Sequence, residues 1–116
     1  MPILIYHNPR CSKSRETLAL LEQHGVQPQV ELYLQQQFTV AQLQDLARKL
    51  QINSVREMMR TKDDLYRTLG LDNLNLSEQD LLAAIAQHSA LLERPIVVNG
   101  KKAAIGRPPE KVLEIL

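Results

Sequence analysis

The chain has 116 residues, 44% of them apolar and 23% charged, a size and balance that suit one globular domain and exclude an intrinsically disordered chain. Its 14 Lys and Arg oppose 13 Asp and Glu for a net charge of +1, so no global basic field argues for nucleic acid, and any anion site has to be a local constellation. The single cysteine excludes an intramolecular disulfide and fits a reducing compartment. With no leader-like N-terminus and no run near the ~20 apolar residues of a bilayer span, a cytoplasmic protein with no membrane insertion is expected.

Ile3-Leu4-Ile5-Tyr6 is a short β-rich run, and Thr17, Leu18, Leu20 and Leu21 then recur at helical spacing until Gly25. Pro28 introduces Val30-Glu31-Leu32-Tyr33-Leu34, whose alternation predicts a second strand. Strand, helix and strand of this length form a βαβ unit with a parallel pair. The middle of the chain reads as helical. Thr39 with Gln42 and Ser54 with Glu57 have capping-box spacing, Asp63 to Leu69 reads as a brief helix closed by Gly70, and Ser77 can cap a helix whose apolar face holds Leu81, Leu82 and Ile85. The period changes at Ile96-Val97-Val98; Asn99-Gly100 is a hairpin signal with Ala103-Ala104-Ile105 as the returning strand, and Pro108-Pro109-Glu110 predicts a final helix through Leu113. The order is β-α-β, a helical insertion, then β-β-α, with no linker or repeat, which predicts one domain over residues 1–116.

Cys11 lies in His7-Asn8-Pro9-Arg10-Cys11-Ser12-Lys13-Ser14-Arg15, directly after the first strand and before the first helix. A cysteine there faces the positive end of the helix dipole and unpaired N–H groups, and the nearby Arg10, Lys13 and Arg15 add positive charge, so a low-pKa nucleophilic thiolate is expected. A dithiol motif would need a second cysteine three positions on, where Ser14 stands; any resolving thiol must be external. A phosphatase loop would need an arginine six positions on, where Thr17 stands, and His7 with Cys11 gives only two candidate metal ligands, so no metal is expected. His7 can tune the thiolate or merely organise the loop. His24 and His88 read as polar helix caps, Tyr6 and Tyr33 as strand residues, and Met58 and Met59 as packing. Arg60, Arg94 and Arg107 stand out by setting as distributed donors for an oxyanion, since a guanidinium is a planar, permanently charged fork.

With HNPRCSKSRETL at 7–18, LYL at 32–34, VREMMR at 55–60, LLERPIVV at 91–98 and IGRPPEKVLEIL at 105–116, the chain resembles the glutaredoxin-coupled arsenate reductases of the ArsC family over nearly its whole length. The resemblance implies an α/β, thioredoxin-like fold: a mixed four-stranded sheet with a helical insertion between strands 2 and 3, and Pro95 as the cis-proline that faces the active cysteine. It implies Cys11 as nucleophile with His7 assisting, Arg60, Arg94 and Arg107 as the arsenate and arsenite triad, and Asn8 and Arg15 as loop and oxyanion contacts. The implied chemistry uses glutathione as cosubstrate and glutaredoxin as reductant, with no tightly bound cofactor, and a monomer is the default. Ser12-Lys13 departs from the Gly-Thr of the best-known members. Two other readings belong to the same resemblance: an Spx-like RNA polymerase-binding regulator, against which Ser14 argues by removing the Cys-x-x-Cys switch, and a related glutathione-dependent thiol oxidoreductase.

Overall fold

The computed structural model describes residues 2–116. Four strands, β1 (Leu4–Tyr6), β2 (Gln29–Glu31), β3 (Ile96–Asn99) and β4 (Lys102–Ile105), form one sheet in the order β2-β1-β3-β4. β1 runs parallel to β2 and antiparallel to β3, and β3 is antiparallel to β4. The helices are α1 (Ser12–Gln23), α2 (Val40–Leu50), α3 (Asp64–Thr68) and α4 (Glu78–Gln87), the last three lying between β2 and β3. This is the mixed sheet with a helical insertion of a thioredoxin-like fold. No described helix is long and apolar enough to cross a membrane.

The chain forms two compact units, residues 2–33 with Arg94–Leu116, and Leu34–Glu93. In the first, α1 is the crossover of the parallel β1–β2 pair. It ends at His24, whose Nδ1 bonds the Leu20 carbonyl at 2.9 Å, and Gly25 follows at φ 79°, the left-handed position glycine reaches without a Cβ penalty. Ile5 of β1, Leu21 of α1, Val97 of β3 and Val112 form a fully buried core, with Leu18, Val26 and Ala104 packed around it. The β3–β4 hairpin turns at Gly100, φ 61°.

Two expected elements differ. The run Val30–Leu34 is not one strand: β2 stops at Glu31, and Tyr33–Gln35 is a turn of 3₁₀ helix. Among the described residues β2 has only β1 as a partner, and β1 ends at Tyr6 opposite Glu31. One more rung, His7 N–H to Glu31 O at 2.9 Å, closes the ladder, so residues beyond it have nothing to pair with. The C-terminal helix is 3₁₀ rather than α, spanning Pro109–Ile115. Its i→i+3 bonds, Lys111 N–H to Pro108 O and Leu116 N–H to Leu113 O, bracket buried Val112, and Asn99 Nδ2 donates to Ile115 O at 2.6 Å.

In the second unit α2 packs on α4. Thr39, Ser54 and Ser77 all form the complete reciprocal capping box, which starts α2, a 3₁₀ turn (Val55–Met58) and α4 respectively. Leu43, Met58, Leu81, Ile85, Leu91 and Leu92 are fully or almost fully buried. Arg56 is structural: its guanidinium donates to Tyr66 Oη and to the carbonyls of Leu71 and Asn73, tying down the segment after α3.

Candidate active site

The β1–α1 loop is built by its own hydrogen bonds. Asn8 O accepts from Cys11 N–H at 3.0 Å, and Asn8 Oδ1 accepts from Arg10 N–H at 3.0 Å, an Asx turn. Arg15 Nη1 reaches back to Pro9 O at 2.9 Å. The loop delivers Cys11 to the N-cap of α1 with extended backbone, φ −94° and ψ 123°, and its carbonyl takes the first helical bond from Arg15 N–H at 3.0 Å. Unlike Thr39 and Ser77, Cys11 makes no side-chain cap hydrogen bond. The first N–H groups of α1 are therefore left for other uses.

Burial pushes the Cys11 thiol up, but the Ser14 backbone N–H, the Arg94 charge, the Lys13 backbone N–H and the Arg107 charge together bring it below the ordinary thiol value. No geometrically complete cap bond forms, so the two amides act as dipoles aimed at the sulfur. Arg107 Nη2 lies 3.5 Å from Cys11 Sγ, and its Nε donates to Arg94 O at 2.8 Å, so the backbone of one arginine braces the side chain of the other. The cations that act on the thiolate thus come from the far end of the chain. The sequence-local ones are engaged elsewhere: Lys13 pairs with Glu16 at 3.5 Å and Arg15 holds Pro9 O, while Arg10 is exposed.

His7 is buried and bonds Ser14, not Cys11: Nδ1 and Ser14 Oγ are 2.6 Å apart. Ser14 Oγ also accepts from Asn8 N–H at 3.0 Å. The wholly buried Ser14 hydroxyl thus satisfies both the His7 ring and the Asn8 amide. Burial first, and then the Arg15 charge, lower the His7 pKa and favour the neutral ring. Ser14 touches both groups: its hydroxyl bonds His7 and its own amide acts on Cys11. Sequence reasoning missed Ser14 as a site residue. Its signal was its place on the apolar stripe with Leu18 and Leu21, at i, i+4 and i+7, where a hydroxyl must be satisfied internally.

The Arg94–Pro95 peptide bond is cis, as is Arg107–Pro108. Pro95 is buried, and Gly106 donates its N–H to Pro95 O at 2.9 Å. A Cβ on Gly106 would come within 2.6 Å of Thr17 Oγ1 and 2.8 Å of Pro95 Cγ, so only glycine permits this approach of the β4 end to α1. That contact sets where Arg107 leaves the sheet. Cys11, His7, Asn8, Arg15, Arg94 and Arg107 all belong to the first unit. Arg60 belongs to the second: its N–H bonds Leu91 O at 2.8 Å and its Nη1 pairs with Asp63 Oδ2 at 2.8 Å. Among the described residues no group of three or more His, Cys, Asp or Glu is placed to hold a metal ion.

The ArsC family model matches residues 6–115. An arsenate reductase of Haemophilus influenzae is 67% identical over 116 residues, 100% of each chain, and one of Neisseria meningitidis is 54% identical over 98% of this chain and 97% of its own. The solved structure of an arsenate reductase from Vibrio cholerae superposes with a TM-score of 0.97 at 55% identity, covering 100% of this chain and 98% of that one. With its loop cysteine, its braced arginine pair and its inserted helices all inside the matched span, this chain belongs to the ArsC family.

Proposed function

We propose that this protein is an arsenate reductase whose nucleophile is Cys11. The observation that carries this is the environment of the sulfur: an open helix N-terminus, with Arg107 Nη2 at 3.5 Å and the Arg94 charge beside it. These groups hold a thiolate and also favour an incoming tetrahedral oxyanion. The thiolate attacks arsenic and displaces a hydroxyl ligand, which takes a proton from solvent and leaves as water. Reduction from As(V) to As(III) takes two electrons, supplied when two thiols become one disulfide, and this chain has a single cysteine. Glutathione supplies the second thiol, arsenite departs, and glutaredoxin reduces the mixed disulfide on Cys11.

Arg94, Arg107 and Arg60 bind the oxyanion. Asn8 and Arg15 shape the loop, and His7 acts through Ser14. The work is that of a cytoplasmic monomer that binds neither nucleic acid nor membrane and keeps no resident cofactor. The test is arsenite formation from arsenate with glutathione and glutaredoxin, comparing wild type with Cys11→Ser. Turnover that vanishes in the variant supports the reading, and a folded wild type that makes no arsenite with several glutaredoxins refutes the substrate.

A further inference from the structure

Arg60, in the second unit, already holds an anion. Its Nη1 meets Asp63 Oδ2 at 2.8 Å, with both side chains about 30% exposed (30% and 27%). The carboxylate is fixed from two directions. Its Oδ1 caps α3 by accepting from Leu65 N–H at 3.2 Å, and the Asp63 backbone N–H bonds Arg60 O at 3.1 Å, closing a turn that keeps residues 60 and 63 together. A carboxylate is itself an oxyanion, and the ion pair uses Nη1 rather than the two-nitrogen face a guanidinium offers to a bidentate guest. We propose that Asp63 is an internal competitor for Arg60, occupying the guanidinium until a substrate oxyanion displaces it, and so sets the oxyanion affinity of the protein. This rests on the assignment of Arg60 as an oxyanion ligand. Asp63 is a positioning residue that touches Arg60, not substrate. Displacing Asp63 costs the same for any incoming oxyanion, so the pair lowers oxyanion affinity by a common factor.

The variants follow from the geometry. Asparagine and serine are both good N-cap residues, so Asp63→Asn and Asp63→Ser keep the α3 cap and remove only the charge. Arsenate affinity, measured by calorimetry without glutathione, should tighten by about two- to fivefold in both, the scale of a partly exposed ion pair. The gain should disappear in the Arg60→Ala background, where Arg60→Ala alone weakens binding. Unchanged or weaker binding in a folded Asp63→Asn overturns the inference, because Asp63 then orients Arg60 or does nothing to it; Arg60→Ala still weakening arsenate binding would leave Arg60 a ligand. An Arg60→Ala protein that binds arsenate like wild type removes both. Tightening in Asp63→Asn with no arsenite formed by the wild type sustains the competitor and refutes only the reductase.

Discussion

Helices α1 and α2 both begin at a residue with extended backbone, Cys11 at φ −94° and Thr39 at φ −90°, and they use their first N–H groups in opposite ways. At α2 the Thr39 hydroxyl takes the Gln42 N–H at 3.1 Å, and the Gln42 side chain returns to the Thr39 N–H at 2.9 Å, so the end is closed. α4 is closed likewise by Ser77 and Asp80. At α1 the cap position holds a thiol that makes no such bond, and the Ser14 and Lys13 amides act on the sulfur instead. The difference teaches where stability and reactivity separate in this fold: a satisfied N-terminus holds a helix, and an unsatisfied one holds a thiolate.

The largest test of that contrast is Cys11→Ser. Serine is a good N-cap, so the substitution should leave the melting temperature equal or higher while arsenite formation falls on the order of a thousandfold or more, the scale for loss of a nucleophile. Equal turnover would end the role of Cys11. Thr39→Ala and Ser77→Ala should do the reverse, each costing about 1 kcal/mol in denaturant unfolding with turnover per folded molecule unchanged. A smaller effect separates the site from the scaffold by pH. The folded-state pKa of His7 is depressed, so between it and the ordinary histidine value of about 6.5 the unfolded chain binds more protons. The stability that His7 contributes is full above that ordinary value and is lost as pH falls toward the folded one. His7→Asn should flatten the decline in stability measured between neutral and mildly acidic pH, and an unaltered slope would show that His7 is not the group titrating.

The scaffold was far more legible in the sequence than the site. The capping boxes at Thr39 and Ser54, the Ser77 cap, the Gly25 stop and the Asn99-Gly100 hairpin are local signals, and the structure holds each where its spacing put it. The alternation through Leu34 misled because a strand needs a partner, and β1 runs out at Tyr6. The address of Cys11 was legible for the same local reason. Its electrostatics were not: Lys13 and Arg15 beside it in sequence are engaged elsewhere, and the pair that acts on it comes from Arg94 and Arg107, brought to the sulfur by pairing of β3 with β1 and by the close approach at Gly106. The His7–Ser14 bond and the Arg60–Asp63 pair were hidden too, since residue type and spacing give no side-chain direction.

The central claim is that the open end of α1 and the braced arginines make Cys11 a thiolate, and titration of the thiol in the folded protein tests it most directly. Alkylation rate against pH should place the wild-type thiol below the ordinary value of about 8.5, and Arg107→Ala should move it upward. A wild-type thiol that titrates at or above that value, or one indifferent to Arg107, would contradict the account.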